Sequence, residues 1–313
     1  MQSKKLISIV FSFRNEEETL SELINSTLKV LEELPFSFEF IFVNDASTDK
    51  SLEILKEYAL KDSRIKVINL SRRFGYNEGF IAGISYAKGE AIITMDADLQ
   101  DPPQVIPKLI DKWQEGADVV HTVREKRVGE NFFKLFLTKL AYRIIRVLSE
   151  IELLNDAGNF KLISKRVKEE LLKLKEKQPY LRGLVCWVGF KQSKVYYKRN
   201  KRFAGKGHFP ILTSSGPLQE FISGITSFSI FPLVGVFLLG LCFLFIGVVL
   251  IFSIYLFNFS IFPLALLILF SGIYLTALGI VATYIGKIWE QVKGRPLYIV
   301  ESTINLKEED LQS

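Results

Sequence analysis

Two carboxylates that lie two residues apart, Asp96 and Asp98, have the types and spacing that best suit chemistry in this sequence. They follow the apolar run Ala91–Met95, which predicts a strand that ends where they begin. Paired carboxylates suit a hard cation, Mg²⁺ or Mn²⁺, that takes its other ligands from phosphates and water. The alternative is a solvated turn in which Asp101 caps the next helix. The position after an apolar strand and the neighbouring Gln100 favour the metal site.

Two further polar clusters follow predicted strands. Arg14 and Glu16 come after the run Leu6–Phe13, and Asp45 follows Phe38–Val43. Both acids have structural alternatives, because Glu16 suits the first turn of a helix and the residues after Asp45 suit a helix cap. Ligands of parallel sheets bind at the carboxyl ends of the strands. We therefore expect the clusters to share one site.

The elements that position these clusters alternate between strand and helix over the first 125 residues. This order predicts an α/β fold with a mainly parallel, doubly wound sheet. Neither G-x-G-x-x-G nor a Walker A loop occurs, which disfavours a dinucleotide oxidoreductase and a P-loop nucleotidase. The predicted strands are Leu6–Phe13, Phe38–Val43, Ile65–Leu70, Ala91–Met95 and Asp118–Val123, and the predicted helices are Glu17–Leu34, Ser51–Ala59, Asn77–Ala87 and Pro103–Glu115.

Charge is distributed unevenly along the 313 residues, whose formal net charge is +6. Residues 1–118 carry 14 basic and 20 acidic side chains, residues 119–220 carry 22 and 9, and residues 221–313 carry 4 and 5. The basic middle precedes an apolar block, so anionic lipid headgroups fit its position better than nucleic acid does. Cys186 and Cys242 have neither metal-ligand spacing nor the pattern of a disulfide framework.

The apolar block, Phe221–Gly286, contains 66 consecutive residues without Asp, Glu, Lys or Arg. About 20 apolar residues suffice to cross a bilayer, so the block predicts two spans. We place them at Ile230–Phe257 and Pro263–Ile285. Basic residues flank the block on both sides, so the positive-inside rule predicts cytoplasmic termini and an integral protein of the cytoplasmic membrane. The alternative, a helical hairpin buried in a soluble core, is disfavoured by the length of the uncharged run.

The basic middle contains two segments that suit a membrane surface. Asn131–Leu148 predicts an amphipathic helix that lies in the membrane interface or, alternatively, packs against the sheet or a partner subunit. Lys191–His208 contains seven basic residues and no acidic residue, and a lipid-linked phosphate suits it better than nucleic acid. Arg124 and Arg127 follow the fifth predicted strand and are candidates for bidentate contacts to phosphate oxygens.

Six stretches of the sequence carry a family resemblance: FRNEEE, VNDASTDKS, LSRRFGYNEG, MDADLQDPP, DAGNFKLISKRV and GKIWEQVKGRPLYIV. They resemble the polyprenyl-phosphate glycosyltransferases of glycosyltransferase family 2, including dolichol-phosphate mannose synthase and the bacterial bactoprenol glucosyl transferases. The resemblance covers about Leu6–Val300. It implies a GT-A catalytic domain that binds a nucleotide sugar, followed by interfacial helices and a two-helix transmembrane hairpin.

The resemblance also implies roles for single residues on the donor side. Asp98 would act in catalysis by ligating a Mg²⁺ or Mn²⁺ ion that bridges the diphosphate, and Asp96 and Gln100 would complete or support that site. Asp45 and Glu16 would contact the nucleoside end. The full set expected at the nucleotide sugar is Ser12, Arg14, Glu16, Asp45 and Asp96.

On the acceptor side, Arg202 and Lys206 belong to a segment that resembles the family's motif facing the acceptor phosphate. Arg127 would join them there, and Arg124 would act as a catalytic residue on phosphate oxygens. The second pKa of a phosphate monoester is about 6, so the nucleophile is already anionic at neutral pH. A strong general base is therefore not required, and Asp156 is the candidate for a base or for a residue that positions the acceptor.

The implied reaction is inverting transfer of a sugar to a polyprenyl phosphate at the cytoplasmic membrane face. UDP-glucose and undecaprenyl phosphate are the favoured substrates, while GDP-mannose, a UDP-N-acetylhexosamine and a modified arabinose donor stay open. A processive polysaccharide synthase is the competing enzyme class, although no Q-x-x-R-W segment occurs. A non-enzymatic membrane scaffold is a second rival.

We expect each chain to have four parts. We also expect a homo-oligomer, and the resemblance implies a tetramer. A nucleotide-sugar-binding core covers residues 1–130, and an acceptor and interface region covers residues 131–228. Two transmembrane helices cover residues 229–286, and a cytoplasmic tail covers residues 287–313.

Overall fold

The structure is a computed structural model that describes residues 4–125, 157–200, 226–229, 231–257 and 262–306. The predicted amphipathic helix Asn131–Leu148 lies outside these residues. Four predicted site residues also lie outside them: Arg127, Asp156, Arg202 and Lys206. The roles assigned to them therefore stay predictions.

The described residues form an eight-stranded mixed sheet of β1 (Leu6–Phe13), β2 (Ser37–Asn44), β3 (Ile65–Leu70), β4 (Ala91–Asp96), β5 (Val119–Arg124), β6 (Ala157–Ser164), β7 (Gln192–Tyr197) and β8 (Val300–Ile304). Their order across the sheet is β7-β5-β6-β4-β1-β2-β3-β8. Strands β6 and β8 run antiparallel to their neighbours, and the others run parallel to one another. The predicted α/β fold with a mainly parallel sheet is thus confirmed.

Helices cover both faces of this sheet. The helices are α1 (Leu20–Leu31), α2 (Ser51–Lys61), α3 (Tyr76–Tyr86), α4 (Ile106–Gln114), α5 (Lys165–Lys173) and α6 (Leu181–Trp187). One face packs against α1, α2 and α4, and the other packs against α3, α5 and α6. Burial from both sides explains why the central strands read as continuous apolar runs rather than alternating ones.

The centre of the sheet is closely packed. The rings of Phe11 on β1 and Phe42 on β2 stack with their centroids 4.7 Å apart. On the opposite face, α3 approaches β1 so closely that a Cβ atom on Gly83 would lie 2.2 Å from Cγ1 of Val10. A side chain at this position would force Val10 and Val43 to shift, so the glycine lets α3 pack closely against β1 and β2.

The sheet is completed by strands from beyond residue 130. Strands β6 and β7 come from residues 157–197, and β8 pairs with β3 near the C-terminus. The sequence patterns did not predict these three strands. The boundary proposed at residue 130 stays a prediction, but the sheet takes strands from both sides of it.

Two apolar helices follow the sheet strands β6 and β7 in the chain, α7 (Phe231–Phe257) and α8 (Phe262–Val292). They contact each other through the edge-to-face pair Phe243 and Phe270, whose ring centroids are 5.5 Å apart. Among the described residues, one segment is long and apolar enough to cross a membrane, Leu269–Val292, and Pro232–Gly247 is a shorter apolar segment. The predicted hairpin of two spans is therefore not confirmed, and it stays a prediction.

The C-terminal end of α8 contacts the segment that follows α5. The side chain of Gln291 accepts a hydrogen bond from the backbone N–H of Lys177 at 3.1 Å and donates one to the carbonyl of Lys175 at 2.7 Å. Strand β8 then begins eight residues after α8 ends, and it pairs with β3. The apolar helix is thus tied both to the segment between α5 and α6 and, through β8, to the strand β3.

Candidate active site

The carboxyl ends of the parallel strands meet at one edge of the sheet, and all three predicted clusters lie there. Each cluster contains a non-glycine residue with positive φ: Asn15 at 55°, Ala46 at 52° and Leu99 at 57°. Side chains with a Cβ adopt this conformation rarely, and it is concentrated at functional sites. The loops are therefore held in specific shapes rather than simply joining strands to helices.

Three carboxylates surround one arginine at the end of β4. Nη2 of Arg199 lies 3.9 Å from Oδ2 of Asp96 and 3.9 Å from Oδ2 of Asp98. Its Nε lies 3.4 Å from Oδ1 of Asp101. The predicted pair, Asp96 and Asp98, thus lies in a group that also contains a third acid and a cation.

Asp101 does not act as the helix cap that the sequence allowed. The short 3₁₀ turn Pro103–Val105 that follows it has no side-chain cap, and Asp101 is fully buried. Its Oδ1 accepts a hydrogen bond from the hydroxyl of Tyr197, and Arg124 Nε lies 3.4 Å from the same hydroxyl. Burial lowers the pKa of Arg124, but Asp101 and Tyr197 outweigh burial and the pKa is raised. The predicted catalytic residue Arg124 therefore joins the carboxylate group as a permanent cation.

The carboxylate group has the properties of a cation site. Burial, followed by the charges of Asp101 and Asp98, raises the pKa of Asp96 to about 7. Among the described residues, Oδ1 of Asp96 and Oδ2 of Asp101 are buried without a hydrogen-bond partner. No group of three His, Cys, Asp or Glu side chains in the described residues is arranged to hold a metal unaided. Two carboxylates fit Mg²⁺ or Mn²⁺ when phosphate and water supply the other ligands.

Backbone hydrogen bonds fix the loop that carries these acids. Oδ1 of Asp98 accepts a hydrogen bond from the N–H of Gln100 at 3.1 Å, and the carbonyl of Gln100 accepts one from the N–H of Asn200 at 2.9 Å. The segment that follows β7 is thus tied across the end of β4. The role predicted for the Gln100 side chain as a metal ligand stays a prediction.

Asp45 organises the loop that follows β3. Its carboxylate accepts hydrogen bonds from the backbone N–H groups of Phe74, at 2.7 Å, and Gly75, at 3.2 Å. Burial, with a smaller contribution from Asp45, raises the pKa of the neighbouring Glu78 to about 7. Asp45 is buried and shapes this corner of the edge, and its predicted contact with a nucleoside stays a prediction.

The loops after β1 and β2 are joined by reciprocal hydrogen bonds. Oδ1 of Asn15 accepts a bond from the N–H of Thr48 at 2.8 Å, and the N–H of Asn15 donates to Oγ of Ser47 at 2.9 Å. The N–H of Glu16 donates to Oγ of Ser51 at 2.9 Å. These bonds place the first two predicted clusters side by side.

The other residues predicted at the nucleotide sugar lie at or near this edge. Oγ of Ser12 is buried without a hydrogen-bond partner among the described residues, and Ser12 is opposite Asp96 in the sheet register. A Cβ atom on Gly79 of α3 would lie 2.2 Å from that oxygen. Arg14 is half-buried just beyond the end of β1, and the carboxylate of Glu16 accepts a bond from the hydroxyl of Thr19 at 3.0 Å.

A chain of side-chain hydrogen bonds links the loop after β2 to the C-terminal strand β8, and sequence reasoning missed it. Nδ2 of Asn44 donates to Oδ1 of Asn69 at 2.8 Å, and Nδ2 of Asn69 donates to Oε2 of Glu301 at 2.6 Å. Oδ1 of Asn44 accepts from the N–H of Ser47 at 3.0 Å. Because β8 lies more than 200 residues from β2 in the sequence, no local pattern indicates this contact.

Buried and half-buried basic side chains lie on the α6 face of the sheet, and sequence reasoning missed Lys161 and Arg182 among them. Burial lowers the pKa of Lys161 on β6 to about 8. Burial, followed by the charge of Lys161, lowers the pKa of His121 to about 3. His121 is hydrogen-bonded to Gln192 at 2.9 Å, which agrees with its predicted place within a strand. Arg182 Nε donates to Oδ1 of Asn159 at 3.1 Å on the same side of the sheet.

Comparisons with known proteins agree with this arrangement. Residues 8–172 match the family described as Glycosyl transferase family 2. The chain is 41% identical to Uncharacterized glycosyltransferase YkcC of Bacillus subtilis (strain 168), over 97% of this chain and 96% of the relative. It is 33% identical to the SfII prophage-derived bactoprenol glucosyl transferase of Shigella flexneri, over 95% of this chain and 98% of the relative.

A solved structure shares the fold at low sequence identity. Glucosyl-3-phosphoglycerate synthase from Mycobacterium tuberculosis, in complex with Mn²⁺, uridine diphosphate and phosphoglyceric acid, superposes with a TM-score of 0.50 at 19% identity. The superposition covers 71% of this chain and 78% of that chain. At this identity the likeness shows the fold, a GT-A-like α/β domain.

Proposed function

The chain belongs to glycosyl transferase family 2, and from that premise we propose that it transfers a sugar from a nucleotide sugar to a polyprenyl phosphate at a membrane surface. The observation that carries the proposal is the pair Asp96 and Asp98, half-buried at the end of β4 beside Arg199. A metal-bound diphosphate would meet acidic ligands on one side and guanidinium groups on the other. Such charges stabilise a diphosphate leaving group.

Asp96 and Asp98 would hold the cation, with Gln100 completing or supporting the site. Bound there, Mg²⁺ or Mn²⁺ would supply positive charge to the diphosphate oxygens. Arg124 is fixed near the same group through Tyr197, so its guanidinium is oriented without needing to reorganise. Arginine suits this task because its planar fork binds phosphate oxygens in pairs.

The acceptor determines how much acid–base chemistry the site needs. An oxygen of the lipid phosphate attacks the anomeric carbon, the bond from that carbon to the nucleoside diphosphate breaks, and one displacement inverts the anomeric centre. The attacking phosphate is already anionic at neutral pH, so no strong base is required. Asp156 is proposed to position the acceptor or to act as a base, with Arg127, Arg202 and Lys206 at the acceptor phosphate.

The apolar helices support a lipid acceptor. Large apolar side chains cover the surface of α7 and α8, including Phe237 at 65% exposure, Leu244 at 67% and Leu275 at 65%. Contiguous exposed apolar surface of this kind marks contact with a membrane or a partner. We propose that both helices cross the cytoplasmic membrane, with the sheet and both termini on the cytoplasmic side.

The relatives favour particular substrates. Similarity to bactoprenol glucosyl transferases over nearly the whole chain supports undecaprenyl phosphate as the acceptor and UDP-glucose as the donor. GDP-mannose, UDP-N-acetylhexosamines and a modified arabinose donor are the alternatives. A homo-oligomer, with a tetramer as the proposed state, would enlarge the small membrane body that two spans provide.

The test is a transfer assay with the full-length protein in membranes. Radiolabelled UDP- and GDP-sugars are supplied in turn with undecaprenyl phosphate, and label is followed into organic solvent. Label in the lipid fraction supports the proposal. Label in aqueous polymer would favour a processive synthase, and no incorporation from any donor would favour a scaffold.

A pair of matched variants then tests the metal assignment. Asp98→Asn keeps the size of the side chain but removes a proposed ligand charge, and transfer should fall by about 100-fold or more, the scale of losing a preorganised electrostatic contact. Asp111→Asn makes the same change at an exposed position on α4 and should transfer normally. Normal turnover by Asp98→Asn would contradict the assignment.

A further inference from the structure

Arg199 occupies the centre of the acidic group that the proposed function gives to a metal. Its guanidinium lies between 3.4 and 3.9 Å from oxygens of Asp96, Asp98 and Asp101. The side chain is 29% exposed, so it reaches the group from the surface rather than from the core. No sequence motif singled out this residue, because it is one of seven basic residues between Lys191 and His208.

Hydrogen bonds hold the residues close to Arg199 on both sides, whereas the contacts of its own guanidinium with the three acids are long. The hydroxyl of Tyr197 donates to Asp101, and the N–H of Asn200 donates to the carbonyl of Gln100. The guanidinium makes ion pairs longer than a normal hydrogen bond, and its buried Nε has no hydrogen-bond partner among the described residues. The contact is therefore electrostatic and lacks the geometry of a fixed structural bridge.

A cation that enters between Asp96 and Asp98 must compete with this guanidinium. A divalent ion bound alone would either displace Arg199 or lie close to its like charge, and both are unfavourable. A nucleoside diphosphate changes this balance, because its oxygens offer the guanidinium a new anionic partner that suits its paired donors. Binding of the metal therefore raises the affinity for the diphosphate, and binding of the diphosphate raises the affinity for the metal.

We propose that Arg199 couples metal binding to nucleotide binding by neutralising the acidic group in the empty site and moving to the diphosphate when both ligands arrive. The inference rests on the proposed function, since it places the metal at Asp96 and Asp98. Arg199 then contacts the leaving group and holds it beside Arg124. By linkage, the nucleotide strengthens metal binding by the same factor by which the metal strengthens nucleotide binding.

The test measures two affinities in the purified full-length protein. Binding of Mn²⁺ alone is followed by the paramagnetic resonance of the free ion, and binding of UDP or GDP is followed by calorimetry with and without saturating Mn²⁺. In the parent protein we expect Mn²⁺ to tighten nucleotide binding by a factor of about 5 to 150, the usual size of such couplings. Arg199→Gln should bind Mn²⁺ alone about 5-fold or more tightly, yet bind the nucleotide with Mn²⁺ about 10-fold more weakly, on the same scale.

Two further variants separate charge from geometry. Arg199→Lys keeps a cation that competes with Mn²⁺ but loses the planar fork, so metal affinity should stay near that of the parent while nucleotide affinity falls. Lys198→Gln removes the same charge from the exposed neighbouring residue and should leave the affinity for Mn²⁺ alone unchanged. The opposite signs expected for Arg199→Gln cannot arise from a loss of folding, which would weaken both affinities.

The outcomes also distinguish this inference from the proposed function. If Arg199→Gln binds Mn²⁺ no more tightly than the parent, while the parent still transfers sugar to lipid, the coupling role is wrong and the proposed function stands. If the parent binds neither UDP nor GDP with Mn²⁺ and transfers no sugar, the proposed function itself is contradicted. A variant that binds both ligands more weakly would also overturn the coupling.

Discussion

The two sides of the active edge differ in how their polar groups are satisfied. On the β1–β2–β3 side, Asn15 bonds with Ser47 and Thr48, and Asp45 accepts two backbone N–H groups. On the β4–β5–β7 side, acids and arginines face one another at ion-pair distances, and buried oxygens of Asp96 and Asp101 have no hydrogen-bond partner among the described residues.

From this difference we infer that the β1–β2–β3 side serves to bind the ligand, whereas the carboxylate side takes part in the reaction. A network of short, neutral and charge-assisted hydrogen bonds is already formed before a ligand arrives, so the β1–β2–β3 side can recognise a shape. In the carboxylate group, the three acids are balanced only by ion pairs longer than a hydrogen bond and by Arg124, and two buried oxygens have no hydrogen-bond partner among the described residues, so ligands can still add favourable contacts there. The carboxylate side is therefore the part of the edge that changes when a ligand binds, and substitutions on the two sides should have different effects.

The largest contrast should come from the same substitution made inside the carboxylate group and at a neutral hydrogen bond between α3 and the segment before β8. Tyr197→Phe removes a hydroxyl that donates to the buried carboxylate of Asp101, and a hydrogen bond to a charged group contributes about 1.5–3 kcal/mol. Tyr298→Phe removes a neutral bond to Ser85, 2.8 Å long, that contributes about 0.5–1.5 kcal/mol. Denaturant unfolding of the two proteins in detergent should rank them in this order, and equal losses would contradict the contrast.

The pH dependence of stability should include a contribution from His121, on the β5 strand of the carboxylate side. His121 is neutral when folded, because its pKa is about 3 there, whereas the ordinary value of about 6.5 applies when unfolded. The unfolded chain therefore binds the proton first, and the contribution of His121 to stability is lost as the pH falls below about 6.5, whereas Asp96 and Glu78, whose pKa values are raised to about 7 in the folded protein, contribute in the opposite direction. At pH 5 the loss from His121 relative to neutral pH is about 2 kcal/mol.

His121→Gln tests this origin. The variant has no imidazole to protonate, so its change in unfolding free energy from pH 7 to pH 5 should be more favourable than that of the parent protein by about 2 kcal/mol, because Asp96 and Glu78 contribute equally to both. Lys161 and Lys194, the neighbouring cations, are unchanged in both proteins. Parallel pH curves would show that other groups cause the acid sensitivity.

The sequence predicted what is local and missed what depends on contacts distant along the chain. The strand ends that carry Asp96, Asp45 and Glu16 follow from short apolar runs, and the structure places all three at one edge. Arg199 could not be distinguished from its basic neighbours, because charge composition does not say which side chain points at an acid. The contact of Glu301 could not be predicted for a different reason. Glu301 lies on an antiparallel strand far along the chain, and such a strand leaves no periodic pattern in the sequence near β2.

On the β1–β2–β3 side, Asp45→Asn should lower the affinity for the nucleotide by a moderate amount. The amide keeps one acceptor oxygen but turns an NH₂ group towards one of the two backbone donors, Phe74 or Gly75. Losing one charge-assisted bond of about 1.5 kcal/mol should lower the affinity for the nucleotide about tenfold, if the loop shapes its site as proposed. Calorimetry with UDP and GDP measures this loss, and the exposed Asp111→Asn is the matched control. Unchanged affinity would mean that the loop holds its shape without Asp45.

The smallest loss of nucleotide affinity should come from Glu301, the last residue in the chain of hydrogen bonds that runs from Asn44 through Asn69. Glu301→Gln keeps an oxygen that can accept from Nδ2 of Asn69, so only the charge assistance of a 2.6 Å bond is lost. Glu301 is exposed, and solvent screens its charge, so we expect less than about a threefold loss of nucleotide affinity, under about 1 kcal/mol. Glu301→Ala removes the acceptor entirely and should lose more, because Asn69 and then Asn44 lose their orientation. The exposed Glu57→Gln on α2 should change nothing. If Glu301→Ala matched Glu301→Gln in calorimetry, the C-terminal strand would not help to position the loop after β2, and the hydrogen bonds of that loop with Asn15 would suffice alone.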